Sequence, residues 1–269
     1  MTNKEVINFQ DALAAASRFN GMVTRTPLLE SRLLNQRAGR RILVKAECLQ
    51  QTGSFKFRGG TSAVTKLSAE QRRSGVVAFS SGNHAQGVAL AAKLAQVDSV
   101  IVMPSDAPKI KLANTRRYGA EIVLYDRAGG ENREQVGAQI VNERGLHLIK
   151  PYDNAQVIAG QATCGIEIAE QAAEAGVREA DVLVCCGGGG LTAGIAISLE
   201  AKAPSMTVRP VEPEHYDDVI RSQLSGKREF VSTTETSICD AIVTPAPGCL
   251  LYTSPSPRDA TLSRMPSSA

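Results

Sequence analysis

From residue 41 to residue 213 the chain alternates short β-branched runs with alanine-rich stretches of helical period. RILVKAE (41–47), SGVVAFSS (74–81), SVIVMP (99–104), EIVLY (121–125), HLIKPY (147–152), DVLVCC (181–186) and TVRPVEP (207–213) read as strands. Between them, residues 84–95, 107–119, 131–145, 157–176 and 190–203 read as helices. Strands joined through helices over short links pair in parallel, so the pattern predicts an α/β architecture on parallel sheet. In such sheets ligands sit at the carboxyl ends of the strands. That points to the loops after Ser81, Cys186 and Glu212. No internal repeat is visible.

The rest of the composition narrows the class. At 269 residues, 43% hydrophobic and 21% charged, the chain has the make-up of a globular protein with one large domain or two smaller ones. A net charge of +3 without a long basic run argues against nucleic acid and anionic membrane as partners. None of the six cysteines forms a CxxC pair, which fits reduced thiols in a cytoplasmic protein. The start, MTNKEVINFQDALAAA, has no signal-peptide core, and no apolar run is long enough to span a bilayer.

Four stretches carry candidate chemistry. TGSFKFRGG (52–60) sets Lys56 between Phe55 and Phe57 in what reads as a glycine-bordered turn. Apolar surroundings lower a lysine pKa and make it a nucleophile or imine former, although a solvated surface lysine fits the same letters. SSGNHAQG (80–87) follows a strand and opens a helix, placing Ser81, Gly82 and Asn83 where free N–H groups attract anions. Plain N-capping is its structural alternative. GGGG (187–190) follows an apolar strand and precedes a helix, which suits a phosphate cradle. It lacks the Gly-Lys-Ser/Thr of a Walker loop. Gly188, Gly190 and Ala193 do match the loose dinucleotide fingerprint, with Glu212 near the expected acidic position, so a nicotinamide dehydrogenase is a rival. VEPEHYDD (211–218) offers Glu212, Asp217 and Asp218 as oxygen ligands for a hard cation, or as a solvated acidic loop. An imine-forming lysine, an amide for a ring phenol and a phosphate cradle together describe pyridoxal 5′-phosphate. A dehydrogenase leaves Lys56 and Asn83 without a task.

These stretches, with AGQAT (159–163), CGGGGL (186–191), SICDAIVTPAPG (237–248) and VTRTPLLES (23–31), resemble the fold type II pyridoxal-phosphate enzymes. The likeness is to the serine/threonine dehydratases and their relatives the serine racemases. It implies a tryptophan synthase β-like fold of two parallel-sheet α/β lobes with the cofactor between them. The catalytic domain would span 1–248, a small lobe of about 53–147 being inserted in a large lobe of 1–52 plus 148–248. Carried over, Lys56 would hold the cofactor as an imine and Phe55 would pack on its ring. Asn83 would bind the ring phenol, and Gly187, Gly188, Gly189, Gly190 and Leu191 would wrap the phosphate. Ser81, Asn83 and His84 would meet the substrate carboxylate, with Ser81 on the ring face opposite Lys56. Glu212, the Tyr216 carbonyl and Asp218 match positions that hold a divalent cation, Mg or Ca, in some members. The implied reaction is dehydration and deamination of L-threonine or L-serine, in a homodimer. A cysteine-synthase-like β-replacement shares the same cofactor.

The sequence departs from that pattern. Gly60 and Ala162 stand where alanine and glycine are usual. The family also continues beyond TPAPG with elements that include the residue meeting the pyridine nitrogen, so no residue here takes that role. The tail from Cys249, CLLYTSPSPRDATLSRMPSSA, has neither helical nor strand period. Back-translated, its two ends resemble the transposon adapter of shotgun sequencing libraries, with Ala260, Thr261 and Leu262 over the variable index. Residues 249–269 are therefore expected to be a non-native read-through, and the chain as written a fragment.

Overall fold

The computed structural model describes residues 7–80, 82–232 and 235–248. The N-terminal elements are α1 (Phe9–Arg18), β1 (Leu28–Glu30), α2 (Arg32–Ala38) and β2 (Leu43–Lys45), followed by a 3-10 turn, Glu47–Leu49. Next come α3 (Lys56–Thr65), α4 (Ala69–Ser74), β3 (Val76–Phe79), α5 (Asn83–Leu94) and β4 (Ser99–Pro104). Then follow α6 (Lys109–Arg117), β5 (Glu121–Tyr125), α7 (Arg133–Arg144), β6 (His147–Leu148) and α8 (Ala155–Glu174). The last are β7 (Ala180–Cys185), α9 (Gly190–Lys202), β8 (Met206–Val211) and α10 (Asp218–Ser225).

The parallel architecture read from the sequence is present. One sheet has the order β5-β4-β3-β6, all parallel, and a second pairs β7 with β8 in parallel. A small antiparallel pair, β1 with β2, stands apart. β3 and β4 are buried along their whole lengths, as strands covered on both faces must be. One face of the larger sheet packs under α3, α5 and α6, through Phe57, Val88 and Ile101; the other meets α7 through Phe79, Val100 and Ile140. A separate core joins α8 and α9 to β7 and β8 around Ile168, Ile195 and Leu199.

The strands at 99–104 and 121–125 have the limits expected. The strand expected at 147–152 is limited to His147 and Leu148; Ile149 N–H still donates to the Val77 carbonyl at 2.9 Å, and residues 150–152 leave the ladder. Lys56 does not lie in a turn. It is the first residue of α3, whose interior contains Gly59 and Gly60. Glycine is a poor helix former, and packing overrides that here. A methyl built on Gly60 would stand 2.8 Å from the Gly87 carbonyl oxygen, and one on Gly160 would stand 2.5 Å from that of Arg58. The glycines let α3 meet α5 and α8 backbone to backbone. Among the described residues no helix is long and apolar enough to cross a membrane. The tail 249–269 lies outside the described residues.

Candidate active site

Five helices start under a side-chain cap: Asn8, Ser31, Ser68, Asn132 and Asn154 each accept from first-turn amides. The helices that open at Lys109 and Asp218 lack an N-cap side-chain bond, as do the three that open at Lys56, Asn83 and Gly190. An uncapped start leaves N–H groups and the positive end of the helix dipole for another acceptor. These three starts gather around one strip of chain, residues 149–152, just past β6.

The strip holds the site by its backbone. Lys56 Nζ donates to the Pro151 carbonyl at 2.9 Å, and His84 Nε2 donates to the Ile149 carbonyl at the same distance. The Tyr152 ring lies flat on Gly188, and its backbone runs against Gly190. A carbonyl can only accept, so His84 carries its hydrogen on Nε2. Its Nδ1 lone pair is buried and has no partner. Burial, then the charge of Lys56, pull the imidazole pKa down to about 3, so the ring is neutral.

Lys56 itself is half-buried, with its amine enclosed. Desolvation lowers its pKa to about 8, and Cys185 at the end of β7 offsets this in part. The two phenylalanines beside it differ in task. Phe57 is fully buried in the core, whereas the Phe55 ring centroid lies 5.3 Å from Lys56 Nζ. Asn83 begins α5 and its side chain is exposed. In the glycine run, Gly189 adopts a left-handed conformation (φ 83°) that opens α9. Gly187 backs onto Ile242, and Gly248 N–H donates to the Gly188 carbonyl at 3.1 Å. The Leu191 side chain enters the α8–α9 core, leaving its backbone in the first turn. Ser81 lies outside the described residues.

The acidic stretch forms a second locus. Glu212 accepts from the amides of Val219 and Ile220 at 2.9 and 3.0 Å, which anchors the start of α10. Asp218 is buried and its Oδ2 has no partner. Burial raises Glu212 to about 7 and Asp218 to about 6, with neighbouring carboxylates adding to both. The Tyr216 hydroxyl donates to the Glu235 carbonyl at 2.6 Å. Among the described residues, no three His, Cys, Asp or Glu side chains cluster as metal ligands.

Sequence reasoning missed the 149–152 strip, because main-chain carbonyls leave no letter to read. It also missed Cys185, whose thiol interacts electrostatically with the same amine and is pushed up by burial.

An enclosed amine of lowered pKa beside three uncapped helix starts fits an aldehyde that carries a phosphate. The chain belongs to the pyridoxal-phosphate-dependent enzymes: the model of that family matches residues 20–257. Within it, the chain is 47% identical over 232 residues to an L-threo-3-hydroxyaspartate ammonia-lyase of Saccharomyces cerevisiae, covering 86% of this chain and 69% of the relative. It is 40% identical to a serine racemase of Arabidopsis thaliana, with 82% of this chain and 66% of that one covered. Among solved structures, a threonine deaminase of T.th. superposes with a TM-score of 0.84 at 44% identity, covering 91% of this chain and 78% of that one. The fold type II architecture expected from the sequence is thereby established. The nicotinamide reading is set aside.

Proposed function

We propose that the chain eliminates water from a β-hydroxy-α-amino acid, L-threonine or L-serine, and that the enamine so formed tautomerises to an imine, which a water molecule hydrolyses to a 2-oxo acid and ammonia. The observation that carries this is the Lys56 amine, enclosed, lowered to about 8 and aimed at the strip where the helix starts meet. When bound, pyridoxal phosphate supplies the sink for charge that develops at the substrate α-carbon.

The chain's own residues do the rest. Lys56 in its neutral form takes the α-proton; a base with a pKa near the working pH does this best. The Pro151 carbonyl orients its Nζ. The N–H groups of residues 187–191 would hold the phosphate, as helix starts hold anions. Phe55 would pack on the ring and Asn83 would bind the phenol oxygen. The start of α5, with Asn83 and His84, would take the substrate carboxylate, and Ser81 would serve as a proton donor. His84 acts there through its amide, since its ring is turned to Ile149.

The names of the relatives favour a second substrate, 3-hydroxyaspartate, for the same elimination, and racemisation as a companion reaction. A divalent cation held by Glu212, the Tyr216 carbonyl and Asp218 is supported by two raised carboxyls and the unpartnered Asp218 Oδ2. The lobe division at about 53 and 147 is proposed from the family resemblance; β3 to β5 fall inside it, and β6 of the same sheet straddles its end. A cytoplasmic location agrees with five free cysteines among the described residues. A homodimer is proposed from the family resemblance.

The test is to add pyridoxal phosphate to the purified chain, reduce with borohydride, map the label by mass, and assay 2-oxo acid formation from each of the three amino acids. Label on Lys56 with 2-oxo acid release supports the reading. A folded chain that takes label elsewhere or releases nothing overturns it.

A further inference from the structure

Two residues beyond Lys56, on the same helix, lies Arg58, a fully buried arginine that the proposed reaction does not use. Its guanidinium donates to two carboxylates. Nε and Nη2 reach Glu47 at 2.8 Å each; Nη1 and Nη2 reach Glu167 at 2.7 and 2.9 Å. Nη1 also donates to Thr163 Oγ1 at 3.2 Å. Glu167 is shared with Lys45, whose Nζ also donates to the Thr26 carbonyl and to Gln171 Oε1. Thr26 closes the group by donating its hydroxyl to Glu47 at 2.6 Å. Two cations face two anions, so the cluster is neutral. Burial by itself would lower Arg58, but the bonds from Glu47 and Glu167 outweigh it and hold the guanidinium charged.

Such a cluster is a poor way to gain stability, since apolar side chains of similar volume often do as well or better. Its value is directional: a planar fork gripped by two carboxylates fixes an orientation. At about 100° per residue, Lys56 and Arg58 project from nearly opposite sides of α3. The other restraints on this helix are less directional. Gly60 meets Gly87 and Gly160 meets Gly59 backbone on backbone, and Phe57 and Val64 pack into the core by apolar contact, which favours burial more than any one orientation. A rotation of about 10° moves an atom at the roughly 6 Å side-chain radius by about 1 Å. A misplacement of that size costs about 100-fold in rate.

We propose that Arg58, gripped by Glu47 and Glu167, is the positioning residue of Lys56: it sets the rotation of α3 and so the place of the amine. This rests on the cofactor reading above.

The test uses the full chain with pyridoxal phosphate as probe. The rate of imine formation is followed by absorbance, and the product is trapped with borohydride and mapped, for wild type, Arg58→Lys and Glu47→Gln. Arg58→Lys keeps the charge and loses the fork. Glu47→Gln is nearly isosteric and leaves the Glu167 grip, which keeps the question decidable if Arg58→Lys does not fold. The expected result is capture at Lys56 slowed about tenfold or more in folded variants. The pH midpoint of capture should also rise toward the ordinary lysine value of 10.5 as the amine loosens into water. A merely structural role would lower the melting temperature and leave that midpoint in place. Folded variants that capture at the wild-type rate and midpoint overturn the proposal. A wild-type chain that captures nothing at Lys56 overturns the cofactor reading instead, and this inference with it.

Discussion

Lys56 Nζ and the Pro151 carbonyl oxygen stand 2.9 Å apart across 95 residues of sequence, and this contact joins the first turn of α3 to the strip that leaves the large sheet. The amine is thus held by an acceptor that carries no charge. Its pKa is lowered by desolvation, and among the described residues no carboxylate pairs with it to offset this.

Replacing Lys56 with alanine should therefore remove the borohydride label and lower turnover by at least about 1,000-fold. In the unsubstituted chain the neutral amine is the reactive form. The rate of cofactor capture should climb with pH and level off above about 8, not above the 10.5 of a free lysine. Stopped-flow absorbance from pH 6.5 to 10 checks both.

His84 sets an acid limit on the fold. Its folded pKa, about 3, lies below the unfolded 6.5, so between these values the unfolded chain binds the extra proton. Stability then falls as pH drops through that window, by about 2 kcal/mol between pH 7.5 and 5 for this one group. Urea unfolding at the two pH values should show the loss, and His84→Asn should shrink the difference.

Gly160→Ala would press a methyl against the Arg58 carbonyl, Ser62 Cβ and Gly59 Cα, at 2.5 to 2.8 Å. Two of these contacts are backbone and cannot rotate away. The expected cost is about 1–3 kcal/mol, read as a lower urea midpoint with an unchanged slope.

Glu212 and Asp218 run with the opposite sign. Their folded pKa values, about 7 and about 6, exceed the ordinary 4.5 and 3.8, so the stability they contribute is lost as pH rises through those windows. A divalent cation would relieve the repulsion. Millimolar Mg²⁺ or Ca²⁺ at pH 8 should raise the melting temperature, and at 100 times its Kd the gain would be about 2.7 kcal/mol. Asp218→Asn should abolish the shift.

The sequence showed the parallel α/β frame clearly because buried strands are written as unbroken apolar runs, as in VVAF and SVIVMP. It misread the start of α3, since two glycines in a row look like a turn when the helices that press on them are 27 and 101 residues away. The short N-terminal helices and α10 went unread for want of a long period. Lys56, Asn83 and the glycine run were visible because chemistry of that kind needs particular side chains. The Arg58 cluster was invisible for the reverse reason. Its carboxylates lie 11 residues before and 109 residues after it, and nothing local pairs them.

The strip from Ile149 to Tyr152 has a consequence for how this chain can change over time. Its two acceptors are carbonyls of the main chain, and main-chain atoms are common to all twenty amino acids. A point mutation at Ile149 or Pro151 can swap the side chain but cannot delete the oxygen that His84 or Lys56 reaches. Substitution at Pro151 therefore spares the contact so long as the path of the chain is kept, whereas at Ile149, fully buried in the core, it spares the oxygen but costs packing. An insertion or deletion between β6 and α8 has no such protection: by shifting the register it would disconnect both contacts at once.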